Sequence, residues 1–420
     1  MRFKNIVFCS PCMITGGAEY YFIRHAQYIA EYHKEYNVYY LEYEKGFSHK
    51  VLVHPNVIFL NYEDGRKTVL PENSIVCTPS SHILRIEELI RYNTNNTVIT
   101  IAFAHFTHFS MFYTMDNYYK VTRNKRKEVG TEFERMEEMG TLFFMGNLGY
   151  LKLSQQFLFS YHPIKPIPIP VPVEKYGKDS PINRNLGDTI RFCWLGRLCK
   201  EKALNILTYM NELESINRDQ KVSLSLIGLG SSEEMLRTKA EKYSYPIEFV
   251  GEKREEDLDA FIRKNVDIGL ASGTSAIEFA LRKVPVIQEW LIDRVYDAGE
   301  RDTYHFIEED EFFVDIAQFT YRVVGQNTFA VKVKTIVDDY SKCCEAAYTR
   351  ALKSSVNSCG EAFVSHMNDL QNIDIAETYI HLRKAQRLTL KAWHNWMEKL
   401  HLRRFYVPIC KLLGVKPAVI

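Results

Sequence analysis

Between residues 190 and 289 the chain alternates short apolar runs with small-residue turns and helical patterns, and few folds accept that rhythm. The first unit is Ile190–Leu195, then Gly196-Arg197-Leu198-Cys199-Lys200-Glu201-Lys202, then a helical run from Ala203 to Leu213. The last is Val266–Leu270, then Ala271-Ser272-Gly273-Thr274-Ser275-Ala276-Ile277-Glu278, a helix, and Val284–Ile287. Strand, turn and helix in this order predict an α/β fold with a mostly parallel, doubly wound sheet. The end of each such strand is also where the fold holds anions, because free backbone N–H groups and the helix dipole point at the ligand. Arg197 and Lys202 add formal positive charge at the first turn, which suits a diphosphate.

The first part of the chain has the same texture. Asn5–Cys9 reads as a strand, followed by Gly16-Gly17-Ala18-Glu19 and a helical pattern from Tyr20 to Tyr32. Val38–Leu41, Val57–Leu60, Ile75–Thr78 and Thr97–Ala104 are further strand candidates, with a helix from Ile83 to Tyr92. A charged helical run, Lys125 to Glu138, precedes the apolar run Leu142–Met145. Prolines at 163, 166, 168, 170 and 172 stop regular structure and stiffen the chain. Ile167, Ile169 and Val171 between them argue that this segment packs. A chain of 420 residues exceeds what one core usually supports, so two domains are expected. The expected division is 1–172, 173–367 and a C-terminal helical tail, 368–420.

These motifs resemble the nucleotide-binding domain of GT-B glycosyltransferases, most closely family 4. That family shows Gly-Arg, four residues and Lys, matched by Gly196-Arg197 and Lys202. It also shows Glu, seven residues and Glu, then small residues and a Pro-Val-Ile strand. Glu278 and Pro285-Val286-Ile287 match the second half, while the first Glu falls on Leu270 and a usual Gly falls on Lys283. The resemblance implies two Rossmann-like domains facing a cleft. It implies that Glu278 receives the donor ribose, with Gly273, Thr274 and Ser275 beside the phosphates. It implies that Gly16 and Gly17 let backbone approach the donor or acceptor. A His after the strand ending near Phe103 is a family feature close to the reaction centre; here it is His105, with His108 the competing choice.

The same resemblance implies a transferase that moves a sugar from a nucleotide diphosphate donor to a saccharide or lipid-linked acceptor. Arg197 and Lys202 serve the leaving diphosphate, and the expected chemistry is retaining, with no metal or cofactor. Asp257-Leu258-Asp259 reads as the start of a helix rather than as a metal pair. Gly228-Leu229-Gly230 is a further turn at the same sheet edge, and Phe249–Lys253 reads as a turn near the base. Two alternatives stand beside this reading: a non-catalytic GT-B subunit that binds a partner transferase, and a sugar-nucleotide 2-epimerase.

Composition removes other classes. A net charge of +1 gives no global field for nucleic acid. No run of 18 apolar residues predicts a membrane span, and Arg2 and Lys4 lead straight into a strand without a signal-type apolar region. A cytosolic location is expected. Cys9-Ser10-Pro11-Cys12 has redox spacing, but the loop continues before any helix begins, so chance occurrence is the better reading. Residues 381–420 hold nine Lys or Arg, one acid (Glu398), and Trp393, Trp396, Phe405 and Tyr406. A basic amphipathic tail of this kind suits an anionic membrane surface. The basic run Lys120, Arg123, Lys125, Arg126 and Lys127 reads as a solvated face or a hold for an anionic acceptor.

Overall fold

The apolar runs become two six-stranded sheets in the computed structural model. It describes residues 2–11, 17–63, 68–79, 98–104, 123–146, 150, 153–155, 157–160, 164–176, 186–289, 292, 294–307 and 327–372. The chain divides into two compact units: residues 1–15, 26–167 and 362–420 form the first, and residues 16–25 and 168–361 the second.

The first unit carries β1 (Asn5–Cys9), β2 (Asn37–Glu42), β3 (Val57–Asn61), β4 (Ser74–Pro79), β5 (Val98–Ala104) and β6 (Leu142–Phe144). Helix α1 (Gly17–Tyr32) follows β1, the short α2 (Ser48–Val51) follows β2, and α3 (Arg123–Glu138) precedes β6. All strands pair in parallel, in the order β3-β2-β1-β4-β5-β6. Central β1 is an unbroken apolar run because a parallel strand is covered on both faces; Ile6, Val7 and Phe8 are fully buried. Edge strand β3 is less covered, with Ile58 half exposed.

The second unit begins with the proline segment and α4 (Val173–Tyr176). Then come β7 (Ile190–Leu195), α5 (Lys200–Ile216), β8 (Val222–Ile227), α6 (Glu233–Ala240), β9 (Ile247–Gly251) and α7 (Glu255–Asn265). They are followed by β10 (Ile268–Leu270), α8 (Thr274–Ala280), β11 (Val286–Gln288), β12 (His305–Phe306), α9 (Phe329–Asp338), α10 (Tyr340–Leu352) and α11 (Val356–Asp369). The order is β12-β11-β10-β7-β8-β9, parallel except for β12. One face packs Trp194, Leu270 and Ile287 against Met210 and Leu213 of α5 and Val333 and Ile336 of α9. The other packs Leu195, Ile227 and Val286 against Ile262 of α7, Ile277 of α8 and Ala347 of α10. Each such fully buried side chain contributes roughly 1.5–3 kcal/mol, which favours this three-layer arrangement over an open sheet.

Both sheets have the doubly wound order in which strand direction of travel reverses once, between β1 and β4 and between β7 and β10. The proline segment is packed as its apolar residues predict. Val171 N–H donates to Ser354 O at 2.7 Å, and Val356 N–H donates to Val171 O at 3.0 Å. That pairing draws residues from Pro168 onward into the second unit, so the division falls at 167/168 rather than 172/173. The chain returns to the first unit at Ala362, where Phe363 stacks on Phe8 at 5.7 Å and His366 bonds Gly140 O at 2.8 Å. Phe249 is not in a turn: β9 runs through it to Gly251, paired with β8. Only Glu252 and Lys253 of that segment form the connection to α7.

Candidate functional site

In the second unit, β7 and β10 lie side by side where the strand order reverses, and their carboxyl ends open the crevice that such sheets use for ligands. The two turns singled out in the sequence leave from these two ends. Gly196–Cys199 links β7 to α5, and Ala271–Gly273 links β10 to α8.

The first turn is held by backbone. Gly196 N–H donates to Ile227 O at 3.0 Å, Leu198 N–H to Leu229 O at 3.0 Å, and Ser232 N–H to Leu198 O at 2.8 Å. Gly228 allows this close approach: a Cβ there would lie 2.1 Å from Gly196 O. The Gly228-Leu229-Gly230 motif is therefore the backing of the turn. Helix α5 then starts from Cys199 in extended conformation, with no side chain capping it. Its first N–H groups face the same edge with the positive end of the helix dipole.

Arg197 is exposed and Lys202 half buried at this helix start. Neither makes an ion pair among the described residues. Burial, and then the Arg197 guanidinium, lower the Lys202 pKa from its ordinary value. Two cations at one helix start, with no acid paired to either among the described residues, suit an anion. Lys202 Nζ stands 3.4 Å from the point where a Cβ of Gly196 would be, and Trp194 Nε1 stands 3.7 Å from it. The Lys202 ammonium also lies 5.8 Å from the Trp194 ring centroid.

At the second turn Gly273 has φ 62° and ψ −134°, a region open in practice to glycine alone. Thr274 and Ser275 begin α8 and are partly exposed. Glu278 is embedded in arginines. Its Oε1 accepts from Arg24 Nη2 at 3.1 Å and its Oε2 from Arg282 Nη1 at 2.8 Å. Arg282 also reaches Asp259, and Asp259 accepts from Arg263 at 2.6 Å. Arg24 donates as well to Pro170 O at 2.6 Å. Leu270, where the resemblance expects an acid, is fully buried and packs in the core with Trp194 and Ile287. Lys283, where it expects Gly, has φ 57°. Val284 N–H donates to Phe279 O and Lys283 N–H to Ala280 O, so the helix ends in a Schellman turn with lysine in the left-handed position.

Arg197, Lys202, Gly273, Thr274, Ser275 and Glu278 thus all belong to the two turns and helix starts at this edge. Gly17 is the first residue of α1. Gly16, His105, His108, Lys120, Cys12 and the tail 381–420 lie outside the described residues. In α3, Arg123 and Lys127 are exposed and Arg126 donates to Gln155 O at 3.2 Å. Sequence reading missed Trp194, Arg24 and Arg282. Arg282 had a signal, since it lies four residues after Glu278 on one helical face. Arg24 had none.

No protein-family model matches the chain, and no curated protein matches it. Solved structures do. A glycosyltransferase from Rickettsia africae ESF-5 superposes with a TM-score of 0.53 at 13% identity, covering 88% of this chain and 99% of that one. The Anabaena Alr3699/HepE structure in complex with UDP and glucose gives 0.52 at 12% identity, over 87% and 99%. The E. coli structure described as trehalose-6-phosphate, bound with UDP-2-fluoro glucose, gives 0.52 at 11% identity, over 88% and 99%. The chain has the GT-B fold. Within a GT-B chain, the turn after β7 belongs to the second Rossmann-like unit, and its donors are those described above. Among the described residues no helix is long and apolar enough to cross a membrane.

Proposed function

We propose that this GT-B chain is a glycosyltransferase that moves a sugar from a nucleotide diphosphate donor to a saccharide or lipid-linked acceptor, as in surface polysaccharide or glycolipid synthesis. The observation that carries the reading is the pair Arg197 and Lys202 at the start of α5, uncompensated among the described residues and beside the reversal of strand order. Similar folds, Alr3699/HepE and the E. coli protein, hold UDP or a UDP sugar, which supports the donor class.

When the glycosidic C–O bond breaks, its electron pair stays on the distal phosphate oxygen. Arg197, Lys202 and the α5 N-terminus meet that charge, and donors already in place stabilise it without reorganisation. They supply what a divalent cation would, so the reaction is proposed to run without metal. Glu278 is held in place by Arg24 and Arg282. A carboxylate has about four lone-pair sites, and those left over are assigned to the donor ribose. His105 is assigned to the sugar side, and transfer with retention is assigned on the family resemblance. The 381–420 tail is assigned to an anionic membrane surface on the cytoplasmic side, on its composition.

A screen of UDP-, GDP- and ADP-sugars, reading release of the nucleoside diphosphate with and without acceptors, tests the proposal. Turnover of one donor is expected. Leu270 favours one rival, a non-catalytic subunit that binds a partner glycosyltransferase. Tight nucleotide binding with no turnover of any donor would select that rival.

A further inference from the structure

Trp194, one residue before the end of β7, carries a polar group that no described residue pairs with. Its side chain is buried, 3% exposed, and its Nε1–H has no hydrogen-bond partner among the described residues. A buried donor left unpaired costs about 1–3 kcal/mol, so such a group in a native fold calls for an explanation. Strand parity alone does not supply one, since Phe at this position would pack the same face.

Its surroundings do. The indole ring is wedged by packing, with the Tyr209 ring centroid 6.1 Å away and Leu270 as its partner across the sheet. Its nitrogen lies buried beside Gly196. The position that a Gly196 side chain would fill is bordered at 3.7 Å by Trp194 Nε1 and at 3.4 Å by Lys202 Nζ. Both groups are donors and neither can accept. The uncapped α5 N-terminus contributes further N–H groups, and Arg197 more charge. The matching ligand group is an oxygen-rich anion small enough to sit against a glycine.

We propose that Trp194 is a ligand contact, its Nε1–H donating to an oxygen of the distal phosphate of the nucleoside diphosphate that Lys202 and Arg197 hold. This rests on the reading of the turn after β7 as a diphosphate site and adds a residue to it. The phosphate relieves the indole of its missing partner and separates two like charges. Because the ring is locked by the core, the direction of the donor is set before the ligand arrives, and little side-chain freedom has to be lost on binding.

The test uses the full chain with ¹⁵N-labelled tryptophan, whose four indole signals match its four Trp residues. Trp194→Phe assigns one signal by its loss, and a thermal melt checks that this variant is folded. UDP, ADP and GDP are titrated by calorimetry, and the tightest is carried forward beside its monophosphate. The expected result is that the Trp194 indole signal moves on saturation with the diphosphate. Trp194→Phe then weakens the diphosphate about tenfold, the loss of one hydrogen bond to a charged group, and leaves the monophosphate unchanged. A Trp194 signal that stays still at saturation, with wild-type diphosphate affinity in Trp194→Phe, overturns the Trp194 role and leaves the site reading intact. If none of the three nucleotides binds the wild-type chain, the site reading falls and the Trp194 proposal falls with it.

Discussion

The two edges of the second sheet treat charge in opposite ways. At the amino edge, Arg191 opens β7 and Asp267 precedes β10. Arg191 Nη2 and Nε meet the two Asp267 oxygens at 2.7 and 2.9 Å, and Arg191 N–H donates to Oδ2 at 2.9 Å. At the carboxyl edge of the same two strands, Arg197 and Lys202 stand together, and burial with that neighbouring charge lowers the Lys202 pKa. The first pair is closed, with its donors and acceptors matched inside the chain. The second is open: no described residue supplies its counter-charge, and an anionic ligand would close it. Arginine near a sheet edge is therefore not a sign of function by itself; what distinguishes the edges is whether the fold supplies the counter-charge.

That contrast can be broken by mutation, and the largest effect is expected at the open edge. Arg197→Ala and Lys202→Ala should each lower donor turnover by about 10²-fold or more, the loss of one contact to developing charge. Melting temperature should hold or rise, since one of two repelling cations is gone. Nucleotide-sugar kinetics and a thermal melt on the same samples check both halves. Asp267→Asn should do the reverse. Removing one partner of a buried pair costs about 3–5 kcal/mol, but Arg191 is 40% exposed and can rehydrate, which brings the expected loss to about 2 kcal/mol. Urea unfolding measures it, and nucleotide affinity should be unchanged while the chain is folded.

A second acid sharpens the comparison from the opposite sign. Glu212 on α5 is 3% exposed and accepts from Gly299 N–H and Tyr304 O–H, both at 3.2 Å. No cation pairs with it among the described residues. Burial pushes its pKa up to about 7, against the lowering effect of those two hydrogen bonds. The folded chain therefore holds a proton that the unfolded chain releases near pH 4.5. The stability penalty is absent below about pH 4.5 and grows until pH passes about 7. Glu212→Gln keeps the shape and removes the charge. It should raise stability by about 1 kcal/mol at pH 8 and by little at pH 4.5, read from unfolding curves at the two pH values.

The sequence made most of the fold legible. Ile190–Leu195 is a strand with the predicted ends, because a mostly apolar run bounded by polar turns has one reading in a parallel sheet. Ile247–Gly251 was missed because Glu248 and Gly251 interrupt the apolar run, and its pairing with β8 decides the matter instead. The two turns after β7 and β10 were legible from small residues and charge. Trp194, Arg24 and the closed state of Glu278 were not, since each depends on residues that only the fold brings together. Lys283 was legible as a departure, and its physical meaning is a lysine at φ 57° in a Schellman turn. Lys283→Gly should remove that strain and stabilise the second unit by about 0.5 kcal/mol, the left-handed penalty less the contact of Lys283 with the Tyr348 ring at 5.0 Å. A thermal melt resolves a change of that size.

The central claim is that the open edge binds a diphosphate and the closed edge only holds the sheet together. Calorimetric titration of UDP, ADP and GDP into the wild-type chain, Lys202→Ala and Asp267→Asn tests it most directly. The account predicts that one nucleotide binds wild type and folded Asp267→Asn alike, and binds Lys202→Ala at least tenfold more weakly. Wild-type affinity in Lys202→Ala, or an equal loss in both variants, would contradict it.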